Sequence, residues 1–197
     1  PQKGFLMHMR QIVHADEWCP AADFIAHMDA DCVFTEPVAP GDYINDGKPI
    51  LRYERFDRIG RRHAGAAGWK QPTEACLPFP VLFETMRCHP EVYHLALYRE
   101  TRELMERKTG KPCDEYIREQ RNEFPQTWCE FNTLGNVAME RFPDKYILVE
   151  QGNDLVTPPN KLQQFWSHGA IDIPQRIWVQ GREENVIPLE FIKRIGL

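Results

Sequence analysis

The chain has 197 residues and a formal net charge of −5, from 29 acidic and 24 basic side chains. This length suffices for one domain with a hydrophobic core, and the negative charge argues against nucleic-acid binding by bulk electrostatics. No apolar run approaches the roughly 20 residues that cross a bilayer, and six cysteines without a C-x-x-C pair predict reduced thiols in a cytoplasmic protein.

The first third of the chain predicts one helix followed by short strands. Residues 5–14 carry apolar side chains at helical spacing, and residues 23–28 form a short apolar run that indicates a buried strand. Residues 32–34 continue in an extended conformation, and residues 49–53 indicate a further strand. Residues 55–68 are basic and contain glycines with little periodicity, which predicts an exposed or mobile loop.

The remainder of the chain alternates between predicted helices and strands. A helix interrupted by Pro78 and Pro80 is predicted within residues 72–86. A long amphipathic helix is predicted over 91–108, with Pro90 as its first helical residue. Further helices are predicted at 112–122, 127–141 and 188–195, and further strands at 145–150 and 176–180. The alternation indicates an α/β domain.

An acidic motif, Asp29-Ala30-Asp31, follows the first predicted strand directly. Open α/β sheets bind ligands at the carboxyl ends of their strands, and two carboxylates there can hold Mg²⁺ or Mn²⁺ against a diphosphate. Such a cation neutralises the charge that develops on a leaving group. Two neighbouring aspartates also occur in solvated turns, but the preceding strand and the following Val33-Phe34 favour a metal–phosphate site.

Several segments together resemble the core of DxD-containing GT-A glycosyltransferases, in particular a group of bacterial and viral proteins described as uncharacterised glycosyltransferases. The matching segments are Gly4-Phe5-Leu6-Met7 with Gln11, His14-Ala15-Asp16, Ala22-Asp23-Phe24-Ile25, Met28 to Phe34, Met86 to Pro90, Trp128 to Asn132, and Gly135-Asn136. The resemblance implies a GT-A-like, Rossmann-like mixed sheet flanked by helices, with residues 1–197 as a single catalytic domain. It also implies transfer of a sugar from a nucleoside diphosphate sugar to a hydroxyl acceptor of unidentified kind.

The resemblance further implies which residues bind the metal and the donor. In such enzymes the second aspartate of the motif contacts Mn²⁺ or Mg²⁺ and the first contacts the metal or the ribose, which implies these roles for Asp31 and Asp29. A late histidine often joins the metal site, and His168 is the candidate, although a histidine before Gly169 is equally typical of a turn. Only 28 residues precede Asp29, so either the chain lacks its natural N-terminal part or it holds the base and ribose differently.

An inverting transferase also needs a carboxylate that takes the proton of the acceptor hydroxyl. Glu130 is the first choice for this base, since it lies near a predicted helix start within a matching segment. Its spacing from Thr127 also fits a capping box, in which Glu130 would only bind backbone at the helix start. Glu84 is the less favoured alternative.

A basic stretch interleaved with aromatic residues contains Arg52, Arg55, Arg58, Arg61 and Arg62. Arginine forks bind phosphate well, so Arg52 is a candidate for gripping the donor diphosphate or an anionic acceptor. The stretch is equally typical of a solvated face whose charges pair with Glu54 and Asp57. Trp69 could stack on a sugar, or it could be a local packing anchor.

Two other functions fit the same sequence. Haloacid-dehalogenase-like phosphatases also place D-x-D after an apolar strand, with Asp29 then the nucleophile and Asp31 the general acid. Val33 matches the threonine or valine that this family has two residues after the motif, whereas the later lysine and acidic pair of the family have no clear counterpart. A non-catalytic binding module is the third alternative. The histidines that show no metal spacing, and to which the sequence assigns no role, are His8, His14, His27, His63, His89 and His94.

Overall fold

The computed structural model describes residues 2–29, 32–59, 64–87, 89–120, 127–151, 161–164, 176–179 and 182–185, which form a mixed α/β fold with small sheets. The helices are α1 Gln2–Val13, α2 Ala15–Trp18, α3 Ala64–Ala67, α4 Lys70–Ala75, α5 Ala96–Thr109, α6 Cys113–Glu119 and α7 Glu130–Arg141. The strands are β1 Phe24–His27, β2 Cys32–Phe34, β3 Ile44–Asn45, β4 Lys48–Arg55, β5 Phe83–Glu84, β6 Glu91–His94, β7 Ile147–Glu150, β8 Leu162–Gln164, β9 Arg176–Val179 and β10 Arg182–Asn185. In this part of the chain, no helix has both the length and the apolar character needed to span a bilayer.

The strand before the acidic motif, β1, lies where the sequence predicts it. The strand that pairs with β1 lies in a segment for which the sequence predicts a helix. β1 pairs antiparallel with β6, with Ala26 opposite Val92. The sequence instead predicts a helix from Pro90 onward, and this prediction is wrong for residues 91–94. Val92 and Tyr93 are buried in β6, and such side chains fit a pleated surface well, so pairing with β1 outweighs the local helical pattern.

A second sheet is built around β4, which is longer than predicted. Asp46 and Gly47 both have positive φ, 50° and 72°, and form the two-residue turn that joins β3 to β4. β7 pairs parallel with β4, and β5 pairs antiparallel with its last residues. This sheet therefore combines parallel and antiparallel pairing. The described part of the chain is mixed α/β, as the alternation of predicted helices and strands indicates, and its strands form several small sheets.

The segment between β4 and β6 differs most from the sequence-based expectation. Within the predicted loop 55–68, residues 64–67 are helical, and residues 60–63 lie outside the described part of the chain. The helix predicted within 72–86 ends at Ala75, and residues 83–84 form β5 instead. The predicted helix over 188–195 also lies outside the described residues.

A third sheet joins β2 to β8, β9 and β10 in antiparallel pairs. β2 is the strand that follows the acidic motif, and Cys32 in it pairs with Gln164 of β8. The motif thus connects two sheets, because β1 before it pairs with β6 and β2 after it pairs with β8. A connection between sheets is a place where side chains of several elements can meet.

The core packs apolar side chains of α1, α5, α6 and α7 against the strands. α5 ends at Gly110, whose φ of 69° closes the helix in the left-handed conformation. α7 starts at Glu130 and not at 127, because Cys129 is the N-cap and its sulfur accepts a hydrogen bond from the Asn132 backbone. The most buried core members include Val13, Leu51, Tyr93, Leu97, Tyr98, Met105, Ile117, Trp128, Phe131, Leu134 and Val137.

Candidate functional site

Asp29 lies just beyond β1 and contacts histidines from two other segments. Its Oδ2 atom is 3.1 Å from Nε2 of His89, and its Oδ1 atom is 4.0 Å from Nε2 of His8 in α1. The Asp29 side chain is 28% exposed, whereas that of His89 is 6% exposed. The pairing of β1 with β6 brings these groups together, because His89 lies two residues before β6.

His89 is the hydrogen-bonded partner of Asp29. Burial by itself lowers the pKa of His89, but the hydrogen bond and the negative charge of Asp29 outweigh it, and the pKa is raised overall. The imidazole ring also meets the Phe131 ring edge-on, with the ring centroids 5.6 Å apart. The result is an oriented histidine–carboxylate pair at the end of β1.

His27 is the neutral member of the same group of histidines. Its Nε2 atom lies 2.6 Å from the hydroxyl oxygen of Tyr98 in α5. The pKa of His27 is lowered to about 4, mainly by burial and further by electrostatic interaction with His89 and His8. At neutral pH His27 is therefore uncharged and supports the end of β1 through Tyr98.

Glu130 joins this site from the first turn of α7. The residue is 5% exposed, and burial raises the pKa of its carboxyl to about 7. The charge of Asp29 contributes to this rise and that of His89 opposes it, so all three groups act on one another electrostatically. We call the group formed by Asp29, Glu130, His8, His27 and His89 the histidine–carboxylate cluster.

The capping-box alternative for Glu130 is wrong, because the helix begins later than the sequence predicts. Cys129, and not Thr127, is the N-cap residue. Glu130 is the first helical residue and therefore does not occupy the third position that a capping box requires. That Glu130 acts as a base stays a prediction. The capping box with Thr127, which was the alternative role for this side chain, does not form.

Hydrogen bonds between α7 and the β5 strand fix the position of Glu130. The Asn132 side chain accepts a hydrogen bond of 2.6 Å from the Thr85 backbone N–H, and the Asn136 side chain donates one of 2.7 Å to the Phe83 carbonyl. The Thr85 hydroxyl donates to the Phe131 carbonyl at 2.9 Å. Two asparagines one helical turn apart thus bind the backbone of β5 and the residue after it, which orients the first turn of α7.

Glu84, the alternative base, is engaged elsewhere. Its side chain is fully buried, and burial raises the pKa of the carboxyl to about 7 despite the nearby charge of Arg87. One carboxylate oxygen is 2.6 Å from Nη1 of Arg87, and the other accepts a hydrogen bond from the Met86 backbone at 2.9 Å. Arg87 also contacts Glu54 at 3.1 Å. These contacts favour a structural role for Glu84.

The remaining predicted donor-binding residues lie in other surroundings. Trp69 precedes α4 and packs, half-buried, against the hydrophobic core, which favours the packing-anchor alternative. Arg55 pairs with Asp57 at 2.9 Å and Arg58 pairs with Glu150 at 2.8 Å, as in a solvated face. Arg52 differs from both because it is buried in β4.

Two of the three predicted metal ligands, Asp31 and His168, lie outside the described residues. Within the described part of the chain, no group of three or more histidine, cysteine, aspartate or glutamate side chains could hold a metal ion. Asp29 fits a hard divalent cation by its chemistry, since it offers partly exposed carboxylate oxygens.

Sequence reasoning missed the histidines of the cluster. It tested them only for regular metal-ligand spacing, which His8, His27 and His89 do not have. Two signals were present: His27 lies two residues before Asp29, and His89 lies within the matching segment Met86 to Pro90. Neither signal indicates that the three side chains converge, because they come from three separate segments.

Replacing Asp29 by asparagine is expected to lower the pKa of His89. The carboxylate that stabilises the imidazolium is lost, while the burial that disfavours it remains. NMR titration of the imidazole resonances measures this change. Asp114→Asn is the matched control, since it removes a carboxylate 2.8 Å from His14 and should leave His89 unaffected. An unchanged pKa of His89 in Asp29→Asn would contradict the pairing.

Comparison with known proteins gives no further guide, because the chain matches no protein-family model, no curated protein and no solved structure.

Proposed function

We propose that the chain is a metal-dependent glycosyltransferase with a GT-A-like fold, which moves a sugar from a nucleoside diphosphate sugar to a hydroxyl acceptor. The observation that carries the proposal is that buried Glu130, with a pKa of about 7, belongs to the same cluster as Asp29 of the acidic motif. A base whose pKa is close to neutral is well suited to accept a hydroxyl proton.

Glu130 takes the proton of the acceptor hydroxyl in this proposal. The acceptor oxygen forms a bond to the anomeric carbon as the bond from that carbon to the diphosphate oxygen breaks, and the nucleoside diphosphate leaves with the electron pair. The low exposure of Glu130 limits competition from water. His89 holds the Asp29 carboxylate in one orientation through its contact at 3.1 Å.

Asp29 and Asp31 would hold Mn²⁺ or Mg²⁺, with His168 as a further ligand. When bound, such a cation neutralises negative charge on the leaving diphosphate. The pair formed by Asp29 and His89 supports this assignment indirectly, because it orients a carboxylate that remains 28% exposed. Orientation of a ligating carboxylate by a hydrogen-bonded neighbour is common at metal sites.

The test is a screen of nucleotide sugars with the full chain and Mn²⁺ or Mg²⁺, in which release of nucleoside diphosphate is measured. At least one nucleotide sugar is expected to be turned over, and Asp29→Asn and Asp31→Ala are expected to lose this turnover. Asp114→Asn should retain it, since Asp114 pairs with Arg10 and His14 away from the cluster.

The same protein and variants distinguish the proposed transferase from a phosphatase and from a binding module. Hydrolysis of a generic phosphate ester that depends on Asp29, without turnover of any nucleotide sugar, would contradict the proposal and support the phosphatase. The absence of both activities, together with no thermal stabilisation by Mn²⁺ plus UDP or GDP, would contradict it and support a binding module.

A further inference from the structure

Arg52 is a buried arginine on the face of β4 that turns away from the hydrophobic core. It is 7% exposed, whereas the preceding residue, Leu51, is 1% exposed and belongs to the core. Side chains alternate along a strand, so Arg52 shares the opposite face with Glu54, two residues later. Burying a guanidinium is costly unless an anion or other acceptor compensates for its lost hydration.

Within the described part of the chain, the Arg52 guanidinium forms no ion pair and no hydrogen bond. Arg87 shows the contrasting case: its side chain is 12% exposed and contacts carboxylate oxygens of Glu84 at 2.6 Å and Glu54 at 3.1 Å. Glu54, which shares the face of Arg52, is therefore already bound to Arg87. Arg52 keeps its planar set of N–H donors available.

A second buried donor lies beside Arg52. Among the described residues, the hydroxyl of Tyr43 is buried and has no hydrogen-bond partner. Burial raises the pKa of Tyr43, and the positive charge of Arg52 opposes that rise, which places the two groups within electrostatic reach. The chain geometry agrees, because the Ile50 backbone N–H donates to the Tyr43 carbonyl at 2.8 Å where β4 begins.

The neighbouring carboxylate does not satisfy these donors. Asp42 directly precedes Tyr43, but Lys161 lies 2.9 Å from one of its oxygens, and the Ala39 backbone N–H donates to the other at 2.7 Å. These contacts lower the pKa of Asp42, the hydrogen bond from Ala39 contributing most. The negative charge of Asp42 is thus balanced by Lys161.

We propose that Arg52 and Tyr43 form a binding site for an oxyanion, either a phosphate group or a carboxylate. A guanidinium binds two oxygens of such a group through parallel N–H donors, and the tyrosine hydroxyl adds a third donor. The site lies beside β2, since the rings of Tyr43 and Phe34 have centroids 6.4 Å apart. β2 directly follows the acidic motif, so the bound oxyanion belongs to a substrate of the same region.

This site does not depend on glycosyl transfer, because oxyanion binding can be measured without turnover. Thermal unfolding of the full chain in EDTA is followed as inorganic phosphate replaces chloride at constant ionic strength. A phosphate concentration tenfold above Kd is expected to raise the melting temperature by roughly 3–6 °C. Arg52→Met should lose this rise, and Tyr43→Phe should weaken phosphate binding while keeping the ring contact with Phe34.

Melting temperatures measured without phosphate distinguish an arginine that binds a ligand from one that stabilises the fold. Arg52→Met should melt at or above the temperature of the unmodified protein, because it removes an uncompensated buried charge. The matched control is Arg102→Met, which breaks the pairing of a part-buried arginine with Asp16 at 2.6 Å and 2.8 Å. This control should melt at a lower temperature yet retain the rise caused by phosphate.

Competition identifies the source of the oxyanion. Displacement of phosphate by UDP assigns the site to the donor diphosphate, and displacement by glucuronate assigns it to a carboxylate of the acceptor. The proposal is overturned if Arg52→Met keeps the full phosphate effect, or if without phosphate it is destabilised as much as Arg102→Met. If Arg52→Met does not fold, Arg52→Lys and Tyr43→Phe decide: phosphate binding at least tenfold weaker supports the site, and unchanged binding overturns it.

Discussion

Replacing Glu130 by glutamine is expected to abolish turnover while making the protein more stable above pH 7. A positioned base contributes about 10²–10⁴-fold to rate, so release of nucleoside diphosphate should fall at least about 100-fold. Burial raises the pKa of Glu130 from 4.5 to about 7, which corresponds to about 3 kcal/mol once the carboxyl is ionised. Glutamine removes that cost because it carries no charge.

The sign of the pH dependence follows from the raised pKa. The folded protein holds the Glu130 proton more tightly than the unfolded chain, so this contribution to stability is complete below about pH 4.5 and is lost as the pH rises through about 7. The stability gained by Glu130→Gln should therefore be largest at pH 8 and vanish near pH 4.5. Turnover by the unmodified protein should rise through about pH 7, because the base must be ionised.

Urea unfolding between pH 4.5 and pH 8, together with the donor-turnover assay, measures both effects of Glu130→Gln. Glu84→Gln is the matched control, since Glu84 is also buried and its pKa is also raised to about 7. That control should not gain stability, because it leaves Arg87 with one carboxylate partner fewer. Full turnover in Glu130→Gln would contradict the catalytic role, and lower stability at pH 8 would contradict the buried-charge argument.

Replacing Gly135 by alanine is expected to destabilise the protein by about 1–3 kcal/mol. An added Cβ would lie 2.1 Å from Oγ1 and 2.5 Å from Cβ of Thr85, so α7 would have to move away from β5. Overpacking costs roughly 1–3 kcal/mol, and the lost hydrogen bond from Thr85 to Phe131 adds about 1 kcal/mol. The higher helix propensity of alanine returns only about 1 kcal/mol.

Urea unfolding measures the effect, and Gly41→Ala is the matched control. Gly41 has no heavy atom within 4 Å of an added Cβ, so its substitution should change stability little. Because α7 carries Glu130 in its first turn, Gly135→Ala is also expected to reduce turnover at temperatures where the protein remains folded. Equal stability of the two variants would contradict the close packing of α7 against Thr85.

The acidic motif shows which part of the site can be predicted from the sequence. An apolar run followed by two aspartates predicts a strand with carboxylates at its end, and Asp29 does follow β1 directly. The sequence does not predict that His89 is the partner of Asp29. That contact depends on pairing between β1 and β6, and a strand at 91–94 looks helical when only its own neighbours along the chain are considered.

The burial and the charge partners of Glu130 and Arg52 likewise do not follow from the local sequence. The sequence identified both as candidates from residue type and position alone. It also allowed a capping role for Glu130 and a solvated ion pair for Arg52, because local spacing fits these alternatives equally well. The late start of α7 excludes the capping box. In the described part of the chain, the pairing of Glu54 with Arg87 leaves Arg52 without a carboxylate partner.

The sequence by itself determined α1, β1, β4, α6 and β7 to within a few residues, together with the acidic motif after β1 and the candidate base. These features depend on side-chain periodicity and turn residues, which act between near neighbours along the chain. Only the tertiary structure decided the strands β5 and β6, the meeting of His8, His27 and His89 around Asp29, and the burial that raises the pKa of Glu130 to about 7. Strand pairing and desolvation join residues far apart in the sequence, so no local pattern specifies them.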